Sequence, residues 1–172
     1  MKQLKISLHD LELAFDNSDY DSAWYLDTVT GEVLPVSREA VQSLNDLLVG
    51  IESIETAMSV IEKSELPDLQ RQELLGAVKV DFDKEGRFRK VPRQSTREGY
   101  DDMGTFIKMV MDKRLQEDLE EAIHRSRPLR RFKDTVSQYP DLHEQWHQFS
   151  DERQRQRMLH WLHLVGIEPI FE

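Results

Sequence analysis

The sequence predicts a predominantly α-helical α+β fold, a helix bundle with one or two small β-hairpins. Apolar residues recur at helical spacing over most of the 172-residue chain, and serine, aspartate or proline precedes many of these segments. Short runs of strand-forming residues flank turn glycines. The length fits one domain over 1–172, with a helix and hairpin in 1–36, helices in 37–79, and a second hairpin and the C-terminal helices in 80–172.

The first part begins with a short helix followed by a hairpin. Ser7 is placed to cap a helix over about 8–16, because apolar residues follow it at intervals of three and four. Residues 23–28 and 32–36 are rich in strand formers, and Gly31 supplies the turn between them. These features predict the first β-hairpin.

The middle of the chain carries a heptad-like pattern. Its apolar positions alternate spacings of four and three at Ala40, Leu44, Leu47, Ile51, Ile54, Met58 and Ile61. This pattern predicts one helix over 40–61 with a continuous apolar seam. The seam is either part of the core or the contact surface of a homodimer, since both use the same periodicity.

The remaining elements follow from local signals. Residues 80–82 and 87–91, around the turn at Gly86, predict the second hairpin. Further helices are expected to begin near Pro67, Ser95, Pro128, Pro140 and Ser150, and at Asp112 the helix that follows Ser95 either restarts or continues. The last of them should end at Gly166.

The composition excludes several classes of site. There is no cysteine, which rules out disulfides and thiolate metal sites. The net charge of −10 is uneven, with −9 in residues 1–80 and −1 in residues 81–172. The acidic first half should repel nucleic acid. No stretch resembles a signal peptide or a membrane span, so we expect a cytoplasmic protein without a membrane partner.

Five basic residues surround the predicted start of the helix at Pro128. They are Arg125, Arg127, Arg130, Arg131 and Lys133. Cations near the positive end of a helix dipole need negative neighbours. These are either acids of the same chain, such as Glu121 and Asp134, or an external anion: a phosphate-bearing ligand, a nucleic acid or the carboxylates of another protein. The cluster is therefore a candidate anion-binding site.

The segment His143-Glu144-Gln145-Trp146-His147 matches the H-E-x-x-H pattern of zinc hydrolases. On a helix the two histidines would share a face and could bind zinc, with Glu144 as general base. The third zinc ligand could be Glu152, His160 or His163, although the longer H-E-x-x-H-x-x-G-x-x-H pattern is not completed. Alternatively, this is a packing helix with Trp146 on its buried face and histidines at the boundary.

Two other interpretations concern charged segments. Residues 84–97 contain six basic side chains with Phe88 among them and Tyr100 close by, and together with residues 125–133 they could bind nucleic acid. The alternative for 84–97 is a solvated edge strand protected by charge. Asp27 and Glu32 in the first hairpin form a weak candidate for a pair of acid-base carboxylates.

Several sequence blocks resemble a bacterial family described as uncharacterised protein family 0158. They are Y-L-D-T-V-T-G-E-V (25–33), S-T-R-E-G-Y-D-D-M (95–103), R-R-F-K-D (130–134), Trp146 and G-I-E-P (166–169). The resemblance implies no activity. In the family pattern a glycine-containing segment precedes R-R-F-K-D, whereas this chain has H-R-S-R-P-L (124–129), which argues against an anion-binding loop of glycine backbone. The pattern also keeps the tryptophan without H-E-x-x-H, which weighs against zinc.

The leading functional hypothesis is a non-catalytic protein-interaction or anion-recognising module. No nucleophile elbow, P-loop or dinucleotide fingerprint occurs in the chain. The partner would be another protein or a phosphate-bearing ligand. A zinc-dependent hydrolase and a nucleic-acid-binding protein are the alternatives.

Overall fold

A computed structural model describes all 172 residues and confirms a predominantly helical α+β fold. The eight helices are α1 (Leu8–Asn17), α2 (Arg38–Leu47), α3 (Ile54–Glu62), α4 (Asp68–Asp81), α5 (Thr96–Met109), α6 (Lys113–Ile123), α7 (Pro128–Ser137) and α8 (Pro140–Leu164). The five strands are β1 (Lys2–Ile6), β2 (Ser22–Asp27), β3 (Val33–Ser37), β4 (Phe88–Lys90) and β5 (Ile167–Phe171). None of the helices combines the length and the apolar character that a membrane span requires.

The helix starts follow local capping rules, and most were correctly predicted. Ser7 and Ser37 accept hydrogen bonds from the third backbone amide of their helices, and Asp112 accepts two from the first turn of α6. Ser95 and Glu98 form a complete capping box at the start of α5. These bonds satisfy amide groups that have no partner within the helix, so they determine where each helix begins.

The first predicted hairpin is confirmed, and the second is wrong. Strands β2 and β3 pair antiparallel around the turn at Gly31. Residues 80–82 are not a strand, because α4 continues through Asp81 and Phe82 is its C-cap. The buried Leu74, Ala77 and Val78 give this segment a helical period that extends past the short apolar run. Strand β4 instead pairs with β2, which creates a three-stranded sheet in the order β3-β2-β4.

The single helix predicted over 40–61 is also wrong. Helix α2 ends at Leu47 and α3 begins at Ile54, with Gly50 between them at φ +76°. A left-handed glycine ends a helix readily, and Ser53 caps the next one. The heptad positions therefore form no continuous seam. Ala40, Leu44 and Ile61 are buried in one core with α4 and β3, and Ile51 and Met58 pack against it.

The helix expected to begin after Ser150 is not a separate element. Helix α8 runs unbroken over 25 residues from Pro140, so one long helix replaces two predicted shorter ones. The chain turns out of this helix at Gly166, as predicted, with φ +80°. Strand β5 then pairs in parallel with β1 from the other end of the chain.

The chain forms two compact units. The first unit comprises Met1–Arg93 and Leu159–Glu172, and the second comprises Gln94–Met158. Both sheets and the α2–α4 core belong to the first unit. The core of the second unit is built from Met103, Phe106, Ile107, Leu119, Ile123, Phe132, Val136, Leu142 and Trp146. Its centre is aromatic: the Trp146 ring lies edge-on to Phe132 at 4.7 Å and to Phe106 at 5.3 Å.

Candidate functional site

An open cavity of about 380 Å³ lies in the second unit, beside its aromatic core. It is formed by the start of α5, the first turns of α7 and the first half of α8. The lining residues are Gln94, Ser95, Thr96, Gly99, Tyr100, Asp102, Met103, Pro128, Leu129, Lys133, Trp146, His147 and Ser150. The capping box that begins α5 and the proline that begins α7 therefore also position the walls of this cavity.

The cavity combines an apolar surface with polar groups that converge from three helices. Met103 and Trp146 contribute buried apolar surface, while Leu129 is 46% exposed. The ammonium group of Lys133 makes no hydrogen bond or ion pair within the chain. His147 lies on the α8 wall, and its Nε2 atom is 3.1 Å from Nε2 of His143. Such a cavity suits a ligand with one negatively charged group and one apolar part.

Asp102 is the carboxylate of this cavity, and two arginines neutralise it. One guanidinium nitrogen of Arg157 lies 2.7 Å from both carboxylate oxygens, and Nε of Arg153 donates a 2.9 Å hydrogen bond to one of them. Arg157 also approaches Glu98 at 3.8 Å. Because Asp102 is 3% exposed, its charge needs these partners. The network joins α5 to α8, and the two guanidinium groups neutralise the negative charge of the Asp102 carboxylate.

Three of the five predicted anion-binding residues have partners in their own chain. Arg125 pairs with Glu121 on the preceding helix. Arg130 lies 3.8 Å from Asp134, and Nε of Arg131 donates to the backbone oxygen of Ser126 at 2.8 Å. For these three residues, the neighbours that the sequence predicts at this helix end come from the chain itself.

The side chains of Arg127 and Lys133, the other two members of the cluster, have no hydrogen-bond or ion-pair partner within the chain. Lys133 lines the cavity. Arg127 is the N-cap of α7 and has φ 55° and ψ 56°, which makes it the one non-glycine residue with positive φ. A left-handed conformation favours glycine, which has no Cβ atom. The arginine in this chain adopts the same left-handed region at a cost in strain.

The H-E-x-x-H residues lie on exposed faces of α8 around the buried Trp146. The rings of His143 and His147 are adjacent, whereas Glu144 accepts a hydrogen bond from Gln148. The structure brings no third histidine, aspartate or glutamate to the histidine pair, and Glu152, His160 and His163 do not complete it. The three-ligand site that a zinc hydrolase requires is therefore not assembled.

The charged residues of the first unit have mainly structural contacts. Arg87 binds the buried Asp27 through Nε at 2.8 Å, and Arg93 lies over the Tyr20 ring at 4.2 Å. Burial raises the pKa of Asp27, but hydrogen bonds from Arg87 and from the turn amides outweigh it and lower the pKa to about 2. Asp27 is thus ionised near neutral pH and cannot serve as a proton donor with Glu32. Two of the basic residues in 84–97 are accordingly engaged within the chain.

Sequence reasoning missed most of the cavity. Ser95 was assigned only to helix capping, Tyr100 to helix packing or a nucleic-acid-binding segment, and Asp102 to no role. A usable signal existed, because eight of the thirteen lining residues belong to the blocks 95–103, 130–134 and Trp146 that carry the family resemblance. Spacing could not show this, since the blocks come together only through the fold.

Fold and site define a helix-rich α+β protein with an open cavity of mixed polar and apolar character in its second unit. The chain belongs to the uncharacterised protein family UPF0158, whose family model matches residues 66–172. It is also similar to the UPF0158 protein PA5073 of Pseudomonas aeruginosa, with 25% identity over 169 residues that cover 98% of this chain and 88% of the relative. No solved structure matches the chain.

Proposed function

We propose that this protein is a non-catalytic interaction module that recognises an anionic group in the cavity of the second unit. The observation that carries the proposal is the position of Lys133, an unpaired cation that lines an open cavity with an apolar floor. The bound group would be a phosphate or carboxylate attached to an apolar moiety. Lys133 provides the point charge, and the surface around Trp146 and Leu129 accepts the apolar part.

The charge balance of the cavity supports this ligand class. Asp102 would repel an anion if it were alone, but Arg153 and Arg157 compensate it. Helices α5 and α7 begin at the cavity, so the positive ends of two helix dipoles face the same region as Lys133. Arg125, Arg130 and Arg131 are occupied by Glu121, Asp134 and a backbone oxygen, and Arg127 does not line the cavity, which leaves Lys133 as the cation of the cluster that an external ligand in the cavity would meet.

Binding of phenyl phosphate to the full chain tests this proposal. The probe carries a dianionic head and one apolar ring, and backbone amide shifts in NMR spectra report its location. We expect perturbations at Ser95, Lys133 and His147, and an affinity that decreases as salt screens the charge. Inorganic phosphate should bind the same residues more weakly, because it lacks the apolar part.

The variant Lys133→Ala should weaken phenyl phosphate binding about tenfold, the effect of losing roughly 1.4 kcal/mol of charge interaction. Arg130→Ala is the matched control, since Arg130 lies on the same helix but pairs with Asp134 outside the cavity. Equal affinities in the two variants, or shifts confined to residues outside the cavity, would refute the proposal. Circular dichroism of both variants checks that α7 is intact.

A further inference from the structure

We infer that His143 and His147 form a binding site for one divalent transition-metal ion. This site goes beyond the proposed function: it shares His147 with the cavity but does not depend on anion recognition there. It also differs from the hydrolase hypothesis, because it has two protein ligands and gives Glu144 no role. The inference rests on the geometry of the two imidazole rings.

The two Nε2 atoms are 3.1 Å apart. Metal–imidazole bonds of about 2.0–2.1 Å place two ligand nitrogens about 2.9 Å apart at a right angle and about 3.4 Å apart at a tetrahedral angle. The observed distance lies between these limits. The histidines are four residues apart on one continuous helix, so the backbone already holds both rings on the same face. Little rearrangement would be needed to chelate an ion.

Without a metal, the close approach requires one Nε2 to carry a hydrogen and the other to accept it. A metal ion would replace this single hydrogen bond by two coordinate bonds, with the proton of each ring on Nδ1. Zn²⁺, Cu²⁺ and Ni²⁺ suit imidazole ligands. Because no third protein ligand joins the pair, the other coordination positions are open to water or to an anionic ligand.

Metal titration of the full chain, purified without an affinity tag, tests the inference. Calorimetry with Zn²⁺ and electron paramagnetic resonance with Cu²⁺ should both show one ion per chain, and the Cu²⁺ spectrum should show two nitrogen ligands. His143→Gln and His147→Gln should each weaken binding by about tenfold or more, because removal of a direct ligand should cost at least as much as the roughly 10–100-fold loss typical of outer-shell partners. His163→Gln on the same helix is the control and should leave binding unchanged.

The absence of saturable binding, or equal binding by the wild type and His143→Gln, would overturn the inference. The two proposals can fail separately, because His143 does not line the cavity and Lys133 is not a metal ligand. His143→Gln should retain phenyl phosphate binding in metal-free buffer. Lys133→Ala should retain the metal. Both histidine variants replace exposed side chains, so helical circular dichroism should be unaffected.

Discussion

At the scale of single residues, Arg127 shows how one backbone conformation links the sequence to the start of a helix. Its left-handed φ of 55° positions the chain for Pro128 at the first position of α7, and its side chain makes no capping hydrogen bond. For an L-residue this conformation costs about 1–2 kcal/mol, whereas glycine adopts it freely. The strain predicts a stabilising substitution.

Arg127→Gly should therefore increase the free energy of unfolding by up to about 1 kcal/mol, measured by urea denaturation. Arg127→Ala is the matched variant, because it removes the same charge but keeps a Cβ atom in the left-handed region. We expect the glycine variant to be more stable than the alanine variant by about 1 kcal/mol. If the alanine variant were equal or better, the strain at this position would be negligible.

Asp27 gives a prediction about acid stability. The pKa of this carboxyl is 3.8 in its ordinary state and about 2 in the folded protein, where Arg87 and the turn amides bind the ionised form. A lowered pKa stabilises the fold above pH 3.8, and this stabilisation is lost as the pH falls through about 2. The difference corresponds to about 2 kcal/mol.

Carboxyl chemical shifts followed by NMR should show Asp27 titrating near pH 2. In Arg87→Gln, which keeps a hydrogen-bond donor but removes the charge, the titration should move to higher pH. An unchanged midpoint in that variant would mean that the turn amides alone hold the carboxylate ionised. A midpoint near 3.8 in the wild type would remove the expected acid dependence.

At the scale of elements, the Asp102 network connects α5 to α8 within the second unit. Replacing Asp102 leaves Arg153 without a carboxylate partner and Arg157 with only Glu98, and breaking a buried pair typically costs about 3 kcal/mol or more. Asp102→Ala should lower the free energy of unfolding by roughly that amount. Asp134→Ala, which breaks the exposed pair with Arg130, should cost less than about 1 kcal/mol. Similar losses in both variants would contradict the structural importance of the buried network.

Local signals predicted the helix starts well, because a capping residue acts on the few amides that follow it. Ser7 and Ser95 were correctly assigned for this reason. Predictions failed where the outcome depended on distant residues. The parallel pairing of β1 with β5 joins residues 165 apart, such as Lys2 and Ile167, and neither strand is long enough to reveal its partner. The break between α2 and α3 at Gly50 was missed for a different reason, because the heptad spacing of apolar residues continues across it.

The candidate site was predictable in part. Lys133 was predicted to be among the anion-binding residues and lies on the wall of the cavity, but its binding of an anion remains a prediction. The sequence could not show that Arg125 and Arg130 have acidic partners while Lys133 has none, because several acids lay within reach of each. It predicted the shared face of His143 and His147 from helical spacing, but not the absence of a third ligand.

At the scale of the whole molecule, the two units differ in how the chain forms them. The first unit combines residues 1–93 with the C-terminal residues 159–172, so the pairing of β1 with β5 closes it only when both ends are present. The second unit is one continuous segment with its own aromatic core. We therefore expect the second unit to fold without the rest of the chain.

The excised fragment 94–158 should therefore fold into a helical protein of marginal stability, about 3 kcal/mol, as expected for 65 residues. Trp146 is its one tryptophan, so its fluorescence and near-ultraviolet circular dichroism report directly on packing against Phe106 and Phe132. On addition of urea, the shift of the tryptophan emission maximum to longer wavelength and the loss of the far-ultraviolet circular dichroism should occur in a single transition. Phe132→Ala, which removes a fully buried ring, should abolish cooperative folding. A fragment that lacks a cooperative transition would show that this core depends on the rest of the chain, and its cavity could then be studied only in the full protein.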